Sequence, residues 1–388
     1  MKSGVFNFLA QDRVRFGVSA AEGIAAEAAQ RGSKRIFVVT TRSLSRNTTA
    51  VSDALDPVQD RVVGLFDECV EHTPRTSVIA LTRLLRDRRA DLIVSIGGGT
   101  VIDTVKVALV CLAEKVDNVD DMSRWHMRVD ADGTRHTPQP RMPPCRQIAV
   151  PTTLSGAEFS DLGGCTDTRN GTKQGYTGTY IGAAAVILDP RITLHTPERL
   201  WLSTGVRALD HAVESLCSIN AQPLVDATSV RALSLLGSAL MRYTVNAQDL
   251  QARLDAQLGA WLAATGIRRT DYGASHGLGH ALGADAGVPH GITSCVLLPT
   301  VMRYNADACA GPLAEVAAAL GDATRAAADQ IEALIARLGL PTRIGQLGIE
   351  RSRLELIAQK GMAIPWVRTN PRPIDKVSQL VEILEAAW

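Results

Sequence analysis

Asp91-Leu92-Ile93-Val94-Ser95-Ile96 is an almost unbroken apolar run that passes straight into Gly97-Gly98-Gly99, after which helical spacing takes over at Ile102–Leu112. A strand that is apolar on both faces must be covered on both faces, which is the position of a strand in a parallel sheet between layers of helices. The same alternation runs through the first half of the chain. An amphipathic stretch at Ala20–Arg31 ends at Gly32, and the β-rich run Arg35–Thr40 follows. A second such run covers Asp60–Phe66, a helical pattern Val78–Arg89, and further strands Gln147–Pro151 and Ala183–Leu188, the last just before Asp189-Pro190. Strand–helix alternation predicts an α/β domain with a parallel sheet. Beyond Pro190 the β-branched runs fade, and Ala/Leu/Arg-rich helical segments continue to Trp388. A chain of 388 residues is also too long for one core. We therefore expect an α/β domain over 1–190 and an all-helical domain over 191–388, with the polar stretch 115–145 as a long loop.

The glycines after the apolar strand carry the first chemical signal. Three in a row let a backbone approach a pyrophosphate, and the helix that follows offers N–H groups and the positive end of its dipole. Gly97, Gly98, Gly99 and Thr100 are thus candidate phosphate-binding residues; a tight strand-to-helix turn is the plainer alternative. No Gly-Lys-Ser/Thr follows, so this is not a nucleoside-triphosphate loop. Asp103 and Lys106 share one side of the helix, either as a surface ion pair or in contact with a cofactor. A second strand end, Pro151-Thr152-Thr153-Leu154-Ser155, offers hydroxyls for ribose or phosphate. Charge and hydropathy narrow the partners. With 41 basic and 40 acidic side chains and no basic stripe, nucleic acid is not expected. No apolar run reaches the length of a membrane span, and the N-terminus shows no secretory pattern. The seven cysteines are scattered without a CxxC pair, as in a protein of a reducing compartment. A small molecule is the expected partner and the cytoplasm the expected location.

Histidines mark a second site. His276, His280 and His290 are three of the chain's eight histidines and fall within one short stretch, and His211 lies upstream on a helical segment. Such groups transfer protons, bind metals, or both. Three neutral imidazoles, His211, His276 and His290, are a possible zinc or ferrous-iron set. Arg207 stands one turn before His211, where a metal site would want a carboxylate. Glu214 shares the face of Arg207 and His211, while Asp210 flanks it.

These motifs together resemble the iron-containing (group III) alcohol dehydrogenases, a dehydroquinate synthase-like architecture. The matching segments are residues 97–106 (GGGTVIDTVK), 151–158 (PTTLSGAE), 208–215 (ALDHAVES) and 276–305, which begins HGLGHALGADAGVPHG. Within the family the chain looks most similar to the maleylacetate reductases, through Glu71-His72-Thr73-Pro74, the Lys173–Asp189 segment and Asn370-Pro371-Arg372-Pro373. The resemblance implies an N-terminal dinucleotide-binding domain, an all-α C-terminal domain, and an active site in the cleft. It implies NAD(H) or NADP(H) on the glycine turn, with Asp103, Thr152, Thr153, Ser155 and Lys173 near the cofactor, and a homodimer. Metal-using members hold iron or zinc with one aspartate and three histidines. The histidines correspond to His211, His276 and His290, and His280 to a proton relay near the nicotinamide. The aspartate corresponds to Arg207, and a guanidinium cannot ligate a cation. Maleylacetate reductases also lack that aspartate, so metal-independent reduction is expected, with Arg207 supplying charge and His211, His276, His280 or His290 the proton. The alternatives are a metal-dependent dehydrogenase using the three histidines and a non-catalytic nucleotide sensor. After the strand ending at Thr40, neither Thr41 nor Arg42 is the carboxylate that binds the ribose diol of NAD, so NADPH or both cofactors are expected. Arg124, Arg146 and Arg303 are candidate cations for an acidic substrate.

Overall fold

The computed structural model describes residues 4–129 and 134–388. Two compact units divide the chain: Phe8–Thr196, and Pro197–Trp388 together with the N-terminal residues up to Asn7.

In the first unit, β1 (Arg13–Phe16), α1 (Ala20–Gln30), β2 (Ile36–Val39), α2 (Arg42–Asn47), α3 (Ala50–Leu55), β3 (Val62–Phe66), α4 (Arg75–Asp87), β4 (Leu92–Gly97) and α5 (Gly99–Ala113) follow one another. The short hairpin β5 (Arg128–Val129) and β6 (Arg135–His136), then β7 (Arg146–Pro151), β8 (Leu162–Asp167), β9 (Thr172–Thr177) and β10 (Ala185–Leu188) complete it. Six strands form one parallel sheet in the order β1-β10-β7-β4-β2-β3. Its apolar strands are double-faced, as the sequence pattern requires. Ile36 and Val38 pack with Ile24 of α1 and Val51 of α3, whereas Phe37 and Val39 pack with Leu81 of α4 and Val105 of α5. The edge strand β1 escaped the sequence pattern because its Arg13-Val14-Arg15-Phe16 has charges where apolar residues were sought. Those charges serve the fold: Arg15 pairs at 2.7 Å with Glu27, which is fully buried on α1. The segment 115–145 is not wholly a loop, since it contains the β5–β6 hairpin; residues 130–133 lie outside the described residues.

The second unit is helical: α6 (Glu198–Leu216), α7 (Pro223–Val245), α8 (Leu250–Ala263), α9 (Ala274–Ala286), α10 (His290–Tyr304), α11 (Ala310–Leu320), α12 (Ala327–Arg337), α13 (Leu354–Met362), α14 (Pro365–Arg368) and α15 (Val377–Ala387). By length and composition α7 is apolar enough to cross a membrane, yet it packs on α6, α8 and α11 with Val225, Leu233, Leu236 and Leu240 fully buried. A glycine lets α8 approach it closely, because a Cβ at Gly259 would lie 2.7 Å from Leu236 Cγ.

Lys106 corrects an expectation. It is not in a surface ion pair: it is fully buried, and its Nζ donates to Asp103 Oδ1 (3.1 Å), Ala157 O (2.5 Å) and Leu162 O (2.8 Å). The ammonium thus fastens the β8–β9 hairpin to α5, and all three of its donors are used. Lys106→Ala leaves two carbonyls and a carboxylate without their donor, so a loss of about 3 kcal/mol is expected. Denaturant unfolding checks this, and an unchanged midpoint would contradict it.

Candidate functional site

In the α/β unit, β4 ends at Gly97, Gly98 caps the helix in extended conformation, and the fifteen-residue α5 begins at Gly99. A Cβ on Gly98 would lie 2.9 Å from Thr153 Cγ2, and one on Gly99 3.1 Å from Ser155 Oγ. The glycines therefore allow the Thr152–Ser155 loop to close over the turn, and Thr152 N–H donates to Gly97 O at 3.1 Å. Gly98, Gly99 and Thr100 remain half-buried. A narrow cradle at a helix N-terminus, open to solvent and lined by Thr153 and Ser155, fits a dinucleotide pyrophosphate. Asp103 accepts from Gly164 N–H (3.0 Å), and the exposed Lys173 crosses the same glycine from β9. Thr41 caps α2 at the end of β2, with its hydroxyl 3.0 Å from that of Ser43.

The helical unit gathers the second site from α6, α9 and α10. Glu214 sits at the N-terminus of α9, where its carboxylate accepts from the N–H groups of Gly273 (3.1 Å), Ser275 (2.9 Å) and His276 (3.2 Å). Its Oε2 also lies 2.7 Å from His276 Nδ1. Burial pushes the Glu214 carboxyl up, and the backbone N–H groups pull it back. Burial, reinforced by the charge of Arg207, holds His276 well below the usual imidazole range, so the ring is neutral. A carboxylate only accepts, which places the single ring proton of His276 on Nδ1 and makes Nε2 an acceptor. Nε2 lies 3.0 Å from His211 Nδ1, so His211 is the donor in that bond. Tyr272 Oη is 2.9 Å from the same His211 nitrogen, and its ring stacks on His276 at 3.9 Å. The chain Glu214–His276–His211 thus fixes both tautomers, with the Nδ1 proton of His211 committed to His276.

Arg207 is buried, at 8% exposed. Its Nη1 donates to Ser294 Oγ at 3.1 Å and lies 3.5 Å from Asp210 Oδ2. Asp210, expected only to flank the helical face, is fully buried at the centre of the cluster. Its Oδ2 accepts from Ser275 (3.0 Å) and Ser294 (2.6 Å), while Oδ1 has no hydrogen bond and faces His276 Nδ1 at 3.6 Å. Burial, then the neighbouring Glu214 charge, pushes the Asp210 carboxyl up, against the pull of Arg207. His280 and His290 form a separate stacked pair with ring centroids 4.8 Å apart, both half-buried. Trp366 stands edge-on to His280 (4.7 Å) and His276 (6.1 Å) and joins the two pairs.

A metal held by His211, His276 and His290 does not fit this arrangement. Among the described residues the group of potential donors whose atoms all lie within 4.8 Å of one another is Asp210, Glu214 and His276, which includes neither His211 nor His290. That group is closed by N–H donors on Glu214 and by the guanidinium beside Asp210, which would meet a cation with like charge. Sequence patterns missed Asp210, Tyr272, Ser294 and Trp366. The i,i+3 spacing of Arg207 and Asp210 was the available signal for the first; the others depend on tertiary packing. Arg303 is tied to Asp329 and Glu332, Arg124 to Asp121, and Arg146 to the carbonyls of Ala10 and Gly182, so these guessed cations are engaged elsewhere.

Comparison with known proteins bears on both sites. The family model described as iron-containing alcohol dehydrogenase matches residues 11–190, and the C-terminal model of the Fe-containing alcohol dehydrogenase family matches 201–388. The chain is 33% identical to the dehydrogenase FUM7 of Gibberella moniliformis, over 96% of this chain and 95% of that protein. It is 30% identical to a maleylacetate reductase of Burkholderia cepacia, covering 97% and 95%. The crystal structure of maleylacetate reductase from Rhizobium sp. superposes with a TM-score of 0.83 at 28% identity, covering 100% of this chain and 99% of that one.

Glu214→Gln places an NH₂ group or a single oxygen against four N–H donors. A destabilisation of about 2–4 kcal/mol is expected. Equilibrium unfolding measures it, and wild-type stability in that variant would contradict the assigned network.

Proposed function

The chain belongs to the iron-containing alcohol dehydrogenase family and is an oxidoreductase; from that premise we propose that it is an NAD(P)H-dependent reductase of the maleylacetate reductase type that works without a metal. The observation that carries this is the buried Arg207, one helical turn from His211, at the position that corresponds to the aspartate ligand of metal-using members. The substrate class is a small carbonyl compound, or an alkene conjugated with a carbonyl, and a carboxylate on it would pair with Arg207. Maleylacetate is the named candidate.

Reduced nicotinamide, when bound, would supply a hydride to the carbonyl carbon or to the β carbon of the conjugated alkene. Gly97, Gly98, Gly99 and Thr100 would hold its pyrophosphate, and Thr152, Thr153 and Ser155 would line the cofactor beyond it, with Asp103 and Lys173 alongside. Hydride addition drives an electron pair onto the carbonyl oxygen. Arg207 stabilises that charge, or holds the substrate carboxylate beside it, from a low-dielectric position where a fixed cation acts strongly. Asp210 and Ser294 hold the guanidinium in place. His211 first takes up a second proton on Nε2 and delivers that one to the substrate, returning to the neutral ring, since its Nδ1 proton is committed to His276; Glu214, through His276, stabilises the imidazolium charge that His211 carries before transfer. His280 and His290, half-buried, are the members placed to pass protons between that pair and solvent.

A metal-dependent dehydrogenase using His211, His276 and His290 is the alternative, and the stacking of His290 on His280 together with Arg207 speaks against it. A nucleotide sensor without activity would have no use for the ordered Glu214–His276–His211 chain.

Arg207→Ala is expected to lower kcat with maleylacetate about 10²–10³-fold, the usual cost of removing one preorganised donor to a developing oxyanion. Its affinity for reduced cofactor should stay within about twofold of wild type, and Arg207→Lys should recover part of the rate. The checks are steady-state kinetics and cofactor-fluorescence titration on variants of native thermal stability. Near-normal kcat in Arg207→Ala would overturn the proposal.

A further inference from the structure

β2 leads on to β3 at the sheet edge, whereas β4 leads on to β7 on the opposite side. The strand order therefore reverses between β2 and β4, and open parallel sheets bind their ligands at the carboxyl ends of the strands flanking such a reversal. Register brings three residues to the same level there. Val39 pairs with Ser95 on β4 and with Phe66 on β3. Two residues beyond each of these stand Thr41, Gly97 and Glu68. Thr41 and Glu68 are joined by an antiparallel bridge. Thr40 pins the corner, its N–H donating to Phe66 O (2.9 Å) and its hydroxyl to Ile96 O (2.8 Å). With the pyrophosphate on the turn that opens at Gly97, the adenosine ribose lies at the end of β2, over Thr41.

The carboxylate missing from positions 41 and 42 is thus supplied by the neighbouring strand. Glu68 pairs with Arg42 at 2.6 Å, and both side chains are exposed (58% and 61%). The next pair is built differently. Arg46 grips Asp67 through two hydrogen bonds, at 2.7 and 3.1 Å, and Ser45 adds a third to an aspartate only 10% exposed. Arg46–Asp67 is a fixed strut, whereas Arg42–Glu68 has a single hydrogen bond in solvent, where an ion pair is readily exchanged.

We infer that Arg42–Glu68 is an exchangeable pair that lets this chain take both NADH and NADPH. Resting on the reductase reading above, it assigns Glu68 to the ribose hydroxyls of NADH and Arg42 to the 2′-phosphate of NADPH. With NADPH, Arg42 leaves Glu68 for the phosphate, where a guanidinium makes stronger, two-pronged bonds. The Thr41 and Ser43 hydroxyls add donors to the same phosphate. Arg42 also offsets the repulsion between Glu68 and the phosphate dianion. With NADH, Glu68 accepts from the ribose diol and Arg42 is idle.

Equilibrium titration of the full chain with NADH and with NADPH, read by nicotinamide fluorescence at fixed low ionic strength, tests the pair without any substrate. For the wild type, the two Kd values are expected within about tenfold of each other. Arg42→Ala should weaken NADPH roughly tenfold, and NADH far less. Glu68→Gln should shift the preference oppositely, tightening NADPH and weakening NADH by about fivefold in the ratio. Arg46→Ala, whose guanidinium is committed to Asp67, should leave the ratio within about twofold. If neither Arg42→Ala nor Glu68→Gln moves the NADPH/NADH ratio by more than twofold, the inference is overturned while the reductase reading stands. Binding of neither cofactor by the wild type would overturn both.

Discussion

The helical unit turns on one interaction: the Glu214 carboxylate at the N-terminus of α9. Three backbone N–H groups and the positive end of a helix dipole make that position favourable for an anion. Burial makes it costly without them. Because Glu214 belongs to α6 and its donors to the start of α9, the same contact locks the two helices that carry His211, His276 and His280. Its fourth partner, His276 Nδ1, converts a structural cap into a chemical one, since the tautomer of His276 then dictates that of His211. In the proposed reaction the atom that transfers the proton is therefore set by a hydrogen bond two residues away from it.

Arg207 and Asp210 complete the electrostatics. A buried guanidinium needs a carboxylate and further acceptors to be tolerated, and Asp210 with Ser294 provides them. The cluster holds one strong cation, two buried carboxylates and a neutral His276. Within it the guanidinium is the group that attracts a developing negative charge, and it stands 3.5 Å from Asp210, the carboxylate that a cation in the same space would need. The α/β unit uses a comparable economy of means. The glycine turn and the Thr152–Ser155 loop touch only because Gly98 and Gly99 lack a Cβ. Lys106, about two turns further along α5, is committed to carbonyls rather than to a ligand.

Much of this was legible in the residues. The double-faced apolar strand ahead of three glycines was enough to predict the parallel sheet and the glycine turn from strand to helix, because both follow from local sequence. The grouping of His211 with His276 was expected from the family resemblance rather than from spacing, since the two stand on different helices 65 residues apart. The buried role of Asp210 was not, since on a helical wheel it only borders the face of Arg207 and His211, and its burial is decided by Ser275 and Ser294 from other helices. Lys106 looked like half of a surface ion pair for the same reason: the carbonyls of Ala157 and Leu162 lie more than fifty residues away in sequence. Arg42 looked like an unopposed cation until β3 placed Glu68 against it. Side chains whose partners are local can be read from spacing, whereas those whose partners are distant cannot.

Metal independence is the central claim, and metal content measured alongside activity tests it most directly. The purified protein, before and after exhaustive chelation, is assayed for iron and zinc by mass spectrometry. In parallel, carbonyl-dependent oxidation of NADH or NADPH is followed with maleylacetate and a panel of small carbonyl compounds. We expect less than about 0.1 equivalent of metal to remain, with kcat unchanged by chelation and unaffected by added zinc or ferrous iron. Stoichiometric metal whose removal abolishes turnover, with recovery on its return, would contradict the role assigned to Arg207.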